Sequence, residues 1–423
     1  MSSLPRIVDV ERRSAASPPL DFEHLLSSQF AEKGALDSLR PGGRVAVAVG
    51  SRGIANLRTI VRKVVELLRA RGAQPYVVPA MGSHGGATSG GQAAVLAEYG
   101  ITPEFLGIPF DTRMDAQSIG LTDNGIDVFF SQAALEADGI VVINRVKPHT
   151  DFAGSIGSGI LKMMAIGLGK FEGARTCHAA ASRLGHEAVI RAVARVVINK
   201  VPILCGIAIL EDQNHATADL KVLTPPSLEE EEKRLFRKAQ SLMPDLPFRE
   251  IDLLVVDFIG KEISGAGMDP NVIGRPVQGY SASLHLQEGG TPRIGRIFVR
   301  ELTEATNGNA TGIGLADFTT TRLVERINLR ATYTNALTAL VPLVAKIPIY
   351  FDSDLEVLDR AVASLALSDT KLARIVRVRS TLSLHKFQVS EAYQDQIRAH
   401  SDLVVTRAAH DMEFDGRGDL LPL

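Results

Sequence analysis

Lys162 is the residue of this sequence whose setting most favours covalent chemistry. Two apolar residues precede it at 160–161 and two methionines follow it at 163–164. Apolar surroundings favour the neutral, nucleophilic amine of a lysine, which makes Lys162 a candidate for covalent attachment to a ligand. The alternative is a lysine that extends from the edge of a helix into water, with its stem on apolar neighbours.

A glycine-rich stretch leads up to this lysine and continues past it. Glycines stand at positions 154, 157, 159, 167, 169 and 173. Because glycine lets the backbone approach a ligand closely, this density indicates main chain held against a flat or phosphorylated molecule, with amide groups as donors. We therefore expect Gly154, Gly157 and Ser158 to contribute to a cofactor-binding site.

Two histidines occupy positions suited to acid and base catalysis. His84 lies in a loop with glycines on both sides, and His149 follows a Lys-Pro pair at the end of a predicted strand. Pro148 restricts the backbone directly before His149 and so aims its ring. Imidazole titrates near neutral pH, so either histidine could take and return a proton. Each could also be an ordinary loop residue.

A third histidine and an arginine complete the set of candidates. His178 lies beside Cys177, but neither a C-x-x-C nor an H-E-x-x-H spacing accompanies it, so the sequence shows no complete metal cage. One histidine ligand suffices only if a cofactor brings the others. Arg52 follows Ser51 in a loop that opens a helix, and it could clamp a carboxylate or phosphate, or be a surface residue. We expect Ser51 to contribute to the cofactor-binding site.

The elements that must position these residues alternate between strands and helices. Apolar runs predict strands at 44–50, 74–79, 139–146, 203–210, 251–259, 295–300 and 373–379, and helical spacing predicts helices at 56–71, 184–200 and near 316–329. This alternation is typical of an α/β fold with mostly parallel sheets. The loops at 50–56, 81–88 and 147–162 follow strands and carry the candidates, as expected for ligand sites at the carboxyl ends of a sheet.

A proline-bounded, charged segment at 224–246 divides the chain. We predict that it forms a connecting helix between two α/β domains. The first domain, at 1–235, would hold the catalytic and cofactor-binding residues, and the second would span 236–423. The active site is then expected in the cleft between them.

Composition narrows the class of protein. The chain has 423 residues, 45% hydrophobic and 22% charged, with a formal net charge of −2, which is typical of a globular protein without a basic field for nucleic acid or membrane. Its two cysteines are too few for a disulfide framework, and the sequence shows neither a secretory signal nor a membrane span. We expect a cytoplasmic protein with no nucleic-acid or membrane partner.

In their order along the chain, these motifs resemble the nickel-pincer nucleotide-dependent lactate racemase family. The matching segments are MGSHG at 81–85, KPH at 147–149, the glycine-rich run that reaches Lys162, and His178 sixteen residues after that lysine. The resemblance is strongest over residues 45–215 and looser in the second half of the chain. It implies an isomerase that acts as a 2-hydroxy acid racemase or epimerase.

The family's cofactor is a nicotinate-derived nucleotide that carries nickel in a sulfur–carbon–sulfur pincer (nickel pyridinium-3,5-bisthiocarboxylic acid mononucleotide). The resemblance implies that Lys162 forms its thioamide tether and that His178 completes the nickel coordination, a donor set that suits borderline-soft nickel. It further implies hydride transfer from the substrate to the cofactor, with His84 and His149 as bases on opposite faces. Arg52 would hold the substrate carboxylate, and separate maturation enzymes would load the cofactor.

In the second half of the chain, the resemblance directs attention to the loop at 269–275. Asn271 and Arg275 add polar groups there, which favours a larger or more polar 2-hydroxy acid than lactate, such as malate or a sugar acid. Two other functions stay open. One is a metal-dependent hydrolase or lyase that combines the three histidines with Asp151 or Glu172. The other is a non-catalytic sensor of a nucleotide or sugar acid.

Overall fold

The chain alternates between strands and helices along its length, in a computed structural model that describes residues 4–13, 17–50, 53–149, 152, 154–275, 277, 292–339 and 341–423. The strands are β1 Ile7–Arg12, β2 Arg44–Val49, β3 Gln74–Pro79, β4 Ala116–Leu121, β5 Asp127–Ser131, β6 Gly139–Arg145, β7 Ile203–Glu211, β8 Thr217–Leu223, β9 Glu250–Ile259, β10 Arg293–Leu302, β11 Phe318–Thr320, β12 Ile349–Phe351, β13 Ile375–Ser380, β14 Ser383–Ser390 and β15 Leu403–His410.

The α-helices lie between these strands, and several are single turns. They are α1 Phe22–Glu32, α2 Leu57–Ala70, α3 Ser89–Glu98, α4 Pro103–Leu106, α5 Gln132–Leu135, α6 Ile160–Lys162, α7 Lys170–Leu184, α8 His186–Lys200, α9 Leu228–Leu242, α10 Pro270–Ile273, α11 Thr321–Glu325, α12 Leu329–Thr338, α13 Asp354–Ala363 and α14 Gln394–Ala399. A π-helix at Met163–Gly167 follows α6 directly. Among the described residues, none of the helices has both the length and the apolar character needed to cross a membrane.

These elements divide into two compact units. Unit I is the described part of Ala16–Met243, and unit II is that of Met1–Ala15 together with Pro244–Leu423. The predicted domain boundary at 235/236 falls within α9, and β1 belongs to unit II. Each unit contains a mainly parallel sheet with helices packed on it, which confirms the predicted α/β fold class.

The five-stranded sheet of unit I is buried on both faces. Its strand order is β3-β2-β6-β7-β8, with β8 antiparallel to an otherwise parallel set. Val45, Val47 and Val49 of β2 face a core formed with α1, α2 and α3, whereas Ala46 and Ala48 face a core formed with α8 and α9. Strands buried on both faces form continuous apolar runs, which is why the sequence predicts β2, β3, β6 and β7 closely.

The sheet of unit II combines parallel and antiparallel strands in the order β12-β11-β10-β9-β13-β14-β1-β15. Strands β9 to β13 pair in parallel, whereas β14, β1 and β15 pair antiparallel. The helix predicted near 316–329 is wrong over its first part, which is β11. The hydroxyls of Thr319 and Thr320 donate there to the main chain of β10, and β-branched residues favour a strand.

Helix α9 confirms the helix predicted within 224–246, but it is packed into unit I. Its Leu228, Leu235, Phe236 and Ala239 side chains are buried in the core beneath the sheet. Glu229, Glu230 and Glu231 in its first turn lie on the half-buried to exposed side of this amphipathic helix, whereas Glu232 is buried. We conclude that α9 is part of the unit that carries the candidate site.

Candidate functional site

The loops that carry the candidate residues leave neighbouring strands of unit I. The His84 loop follows β3 and the His149 loop follows β6, and β2 ends shortly before Ser51 and Arg52 in the chain, which lie outside the described residues. Because β2 lies between β3 and β6 and all three are parallel, their carboxyl ends lie side by side. Ligands of α/β proteins bind at this edge of the sheet, so the topology supports the grouping predicted from the sequence.

The central contact of the site joins Lys162 to His149. Lys162 Nζ lies 2.5 Å from His149 Nε2, and both side chains are half-buried. An isolated antiparallel bridge closes the intervening loop, because the amides of Lys147 and Ser158 each donate to the other's carbonyl at 2.9 Å. An amine that contacts an imidazole can transfer a proton to it and become a neutral nucleophile.

A row of aromatic rings extends from His149 to His178. His149 stacks on Phe152 with ring centroids 4.7 Å apart, and Phe152 stacks on His186 at 5.2 Å. His186 then meets His178 edge to face, with centroids 6.0 Å apart. The structure therefore brings Lys162, His149 and His178 into one contiguous cluster.

Phe152 and His186 are members of this row that sequence reasoning missed. His186 opens α8 directly after Gly185, whose φ of 83° is in the left-handed region and turns the chain between α7 and α8. A histidine at this turn, eight residues after His178, is a signal that the sequence does contain. Phe152 had no such signal, because its role depends on the loop that surrounds it.

The backbone around Lys162 departs from a regular α-helix. Lys162 ends the single turn of α6, and the chain continues directly into the π-helix. Gly167, at the end of this π-helix, accepts a hydrogen bond from the amide of Gly82 at 3.0 Å. Since π-helical turns occur frequently at functional sites, this geometry favours a functional role for the segment. The hydrogen bond from Gly82 connects the segment to the His84 loop.

A buried lysine and a buried glutamine hold the His84 loop from below. Lys170 Nζ donates to Pro79 O at 2.8 Å and to Gln92 Oε1 at 3.4 Å, and both side chains are fully buried. Gln92 Nε2 donates in turn to Gly82 O at 3.0 Å and to His84 O at 3.3 Å. The exposed His84 side chain thus extends from a fixed main chain.

Burial lowers the pKa of Lys170 to about 8 from the ordinary 10.5, which predicts a pH-dependent stability. The amine of Lys170 binds its proton more tightly in the unfolded chain than in the folded one. The free energy of unfolding therefore rises as the pH increases from about 8 to 10.5. Between about pH 7.5 and 10, we expect the unfolding free energy of wild type to rise by about 2 kcal/mol relative to that of Lys170→Met. Urea denaturation at several pH values measures this shift. Lys371→Met, which removes an exposed lysine, is the control, and parallel curves for Lys170→Met and wild type would refute the prediction.

The predicted cofactor-binding residues Gly154, Gly157 and Ser158 make close contacts within unit I. A Cβ atom on Gly157 would lie 2.4 Å from Lys147 O, and one on Gly154 would lie 2.0 Å from Glu187 Oε2. The Ser158 amide is the donor in the bridge to Lys147. Glycine is therefore required at 157, where an added Cβ atom would meet main chain, whereas at 154 it would meet only the end of the flexible Glu187 side chain. A contact of these residues with a cofactor stays a prediction.

Gly157→Ala is expected to destabilise unit I. The added methyl group would be forced against the Lys147 carbonyl, and such overpacking costs about 1–3 kcal/mol of unfolding free energy. Gly90→Ala is the matched control, because nothing lies within 4 Å of a Cβ atom there and the residue is in α3. Equal urea midpoints for Gly157→Ala and wild type would contradict this close packing.

Ser51 and Arg52 lie outside the described residues, but the chain that follows them is held in place. The amide of Ala55 donates to Glu211 Oε1 at 2.7 Å, and the other oxygen of Glu211 pairs with Arg145 at the end of β6. This carboxylate connects the ends of β6 and β7 to the loop after β2. The assignment of Arg52 to the substrate carboxylate stays a prediction.

Asn271 and Arg275, the predicted substrate contacts, belong to unit II. Asn271 Nδ2 donates to Asp269 Oδ1 at 2.9 Å. Arg275 donates to Asp317 Oδ2 at 2.6 Å and to Leu315 O at 2.8 Å. Both side chains therefore support local structure in unit II, and their role toward a substrate stays a prediction.

The donor set of unit I fits a metal cofactor that brings most of its own ligands. Lys162 supplies an amine for a covalent bond, and His178 supplies an exposed imidazole in the same cluster. Burial raises the pKa of Cys177 to about 12, so its thiol is protonated at neutral pH and is a poor metal ligand. Within the described ranges, no group of three or more His, Cys, Asp or Glu side chains could hold a metal ion.

Two comparisons with known proteins gave a match, one to a domain family and one to a solved structure. The model of a domain of unknown function, DUF362, matches residues 51–224. Among solved structures, the chain is similar to the lactate racemase apoprotein from Thermoanaerobacterium thermosaccharolyticum, with a TM-score of 0.53 and 14% sequence identity over 89% of this chain and 99% of that chain. A search of curated proteins finds no match. At this identity, the likeness shows a lactate racemase-like fold.

Proposed function

We propose that this protein is a racemase or epimerase that inverts C2 of a 2-hydroxy acid with a lysine-tethered nickel-pincer nucleotide. The observation that carries the proposal is the Lys162–His149 contact, together with the ring row that extends to His178. One cluster thereby contains an amine for a tether, an imidazole for a metal and an imidazole for proton transfer. The lactate racemase-like fold also supports this proposed function.

Lys162 would hold the cofactor through a thioamide, and His178 would complete the coordination of its nickel. When bound, the cofactor supplies a reversible acceptor for the hydride at C2 of the substrate. The partners of the chain in this proposal are the maturation enzymes that load the cofactor and a 2-hydroxy acid. We favour a substrate more polar than lactate, with Arg52 at its carboxylate and Asn271 and Arg275 at its distal groups.

The protein's own contribution is proton transfer at two positions. His149 takes or returns the hydroxyl proton at Nε2, and its stack on Phe152 fixes the plane of the ring. His84 serves the opposite face from the loop that Lys170 and Gln92 support. Two bases are needed because the carbonyl formed from the substrate must accept hydride and proton on either face for the configuration to invert.

A racemisation assay in D₂O tests this proposal. Protein co-expressed with the maturation enzymes is incubated with single enantiomers of lactate, malate and sugar acids, and the products are resolved by chirality and mass. We expect inversion with the original hydrogen kept at C2, because a hydride passed to a cofactor does not exchange with solvent. Deuterium at C2, or no inversion of any acid by protein that carries the cofactor, would overturn the proposal.

A further inference from the structure

We infer that Glu232 of α9 is a positioning residue for Lys162 and acts through the main chain of the short helix that bears the lysine. This inference rests on the proposed function, because that function makes Lys162 the tether. Glu232 is fully buried, with 0% of its surface exposed. It is the one acidic residue on the otherwise apolar face of α9 that contains Leu228, Leu235 and Phe236.

The carboxylate of Glu232 caps the first turn of α6. Its Oε2 atom accepts hydrogen bonds from the amides of Ile160 at 2.7 Å and Leu161 at 3.0 Å. The first amides of a helix have no acceptor within the helix, so here a side chain from another helix provides one. Lys162 is the next residue, and the direction of its stem depends on this turn.

Contacts on both sides fix the entry to this turn. Asn144 Nδ2, at the end of β6, donates to Gly159 O at 3.0 Å. On the other side, a Cβ atom on Gly159 would lie 2.3 Å from Glu232 Oε1, so the carboxylate packs directly against the main chain. The backbone before Lys162 is thus clamped between β6 and α9.

The position of Glu232 is costly for folding, which argues for a role beyond packing. Its Oε1 atom has no hydrogen-bond partner among the described residues, and a buried polar atom without a partner destabilises a fold. Burial also raises the pKa of Glu232 to about 7, with a smaller effect from Glu229 on the same helix. An apolar side chain would fill this core site at lower cost, but it could not accept the two amides.

The test compares Glu232→Leu with Glu232→Gln in the full-length, cofactor-free chain. Leucine removes the acceptor and glutamine retains an oxygen at the same position. For Glu232→Leu we expect hydrogen exchange at the amides of Ile160 and Leu161 to rise at least about tenfold. We also expect acetic anhydride to acylate Lys162 at least about threefold less, relative to Lys33, because the displaced amine loses His149 as its proton acceptor. Glu232→Gln should stay within about twofold of wild type in both measurements.

Unchanged exchange and acylation in Glu232→Leu, with normal urea unfolding, would overturn the inference. Equal changes in the Gln and Leu variants would also overturn it, because the acceptor would then be irrelevant. If Glu232→Leu does not fold, Gly159→Ala replaces it, since its methyl group displaces the carboxylate without removing it, and the same changes are expected. These measurements need no cofactor and no substrate, so failure of the racemase proposal would be seen separately, as the absence of inversion by wild type.

Discussion

Lys162→Ala is expected to lose both the cofactor adduct and racemase activity, with turnover reduced more than about 10³-fold. The reason is that Lys162 is the amine that lies against His149 in the site, and alanine cannot form a thioamide. Intact mass spectrometry measures the adduct, and chiral chromatography measures the conversion of one enantiomer into the other. Both measurements use protein co-expressed with the maturation enzymes.

Lys162→Arg and Lys33→Ala are the matched controls for this result. Arginine keeps the positive charge but not the acylable amine, so Lys162→Arg should fail as completely as alanine. Lys33→Ala removes an amine that pairs with Glu231 at 3.1 Å and should keep both the adduct and the activity. Wild-type turnover by the Lys162→Ala protein would show that Lys162 is not the tether.

His149→Gln is expected to slow attachment of the cofactor without abolishing it, and to lower kcat of the chains that carry the adduct by about 10²–10⁴-fold. Glutamine preserves polarity and approximate size but cannot take up a proton near neutral pH. Steady-state racemisation rates measure the loss, and intact mass confirms that the cofactor is loaded. The separation of attachment from turnover distinguishes a catalytic histidine from one that merely stabilises the loop.

The control for His149→Gln is His385→Gln, which changes an exposed histidine on β14 in unit II. It should leave kcat within about twofold of wild type, as surface substitutions usually do. A kcat for His149→Gln equal to that of wild type would remove His149 from the mechanism. Loss of the adduct in this variant would instead assign His149 to cofactor loading.

The parts of the fold that the sequence predicts well are those with a strong one-dimensional pattern. β2, β6 and β7 are buried on both faces and read as uninterrupted apolar runs, and α2 places its apolar residues at helical spacing. The antiparallel strand β15 has mostly half-buried and exposed residues, so it lacks such a run. The position of β1 between β14 and β15 depends on a pairing across nearly the whole chain, for example Val10 with Phe387, and no local pattern contains it.

Those residues of the candidate site could be predicted whose type and position in a loop after a strand indicate chemistry. Lys162 and His149 were predicted on separate grounds, and the structure places their nitrogen atoms in contact. Phe152 and Glu232 were missed because an apolar loop residue and an acidic residue in a charged helix look ordinary in sequence. Their roles arise from the stack on His149 and from burial beneath α6, which only the folded chain defines.

Peptide mapping with nickel analysis of wild-type protein, co-expressed with the maturation enzymes, tests whether a nickel cofactor is tethered to Lys162. We expect a nicotinate-derived adduct on the peptide that contains Lys162 and about one nickel ion per chain. An unmodified Lys162 peptide without nickel, from cells that load a known lactate racemase, would contradict it.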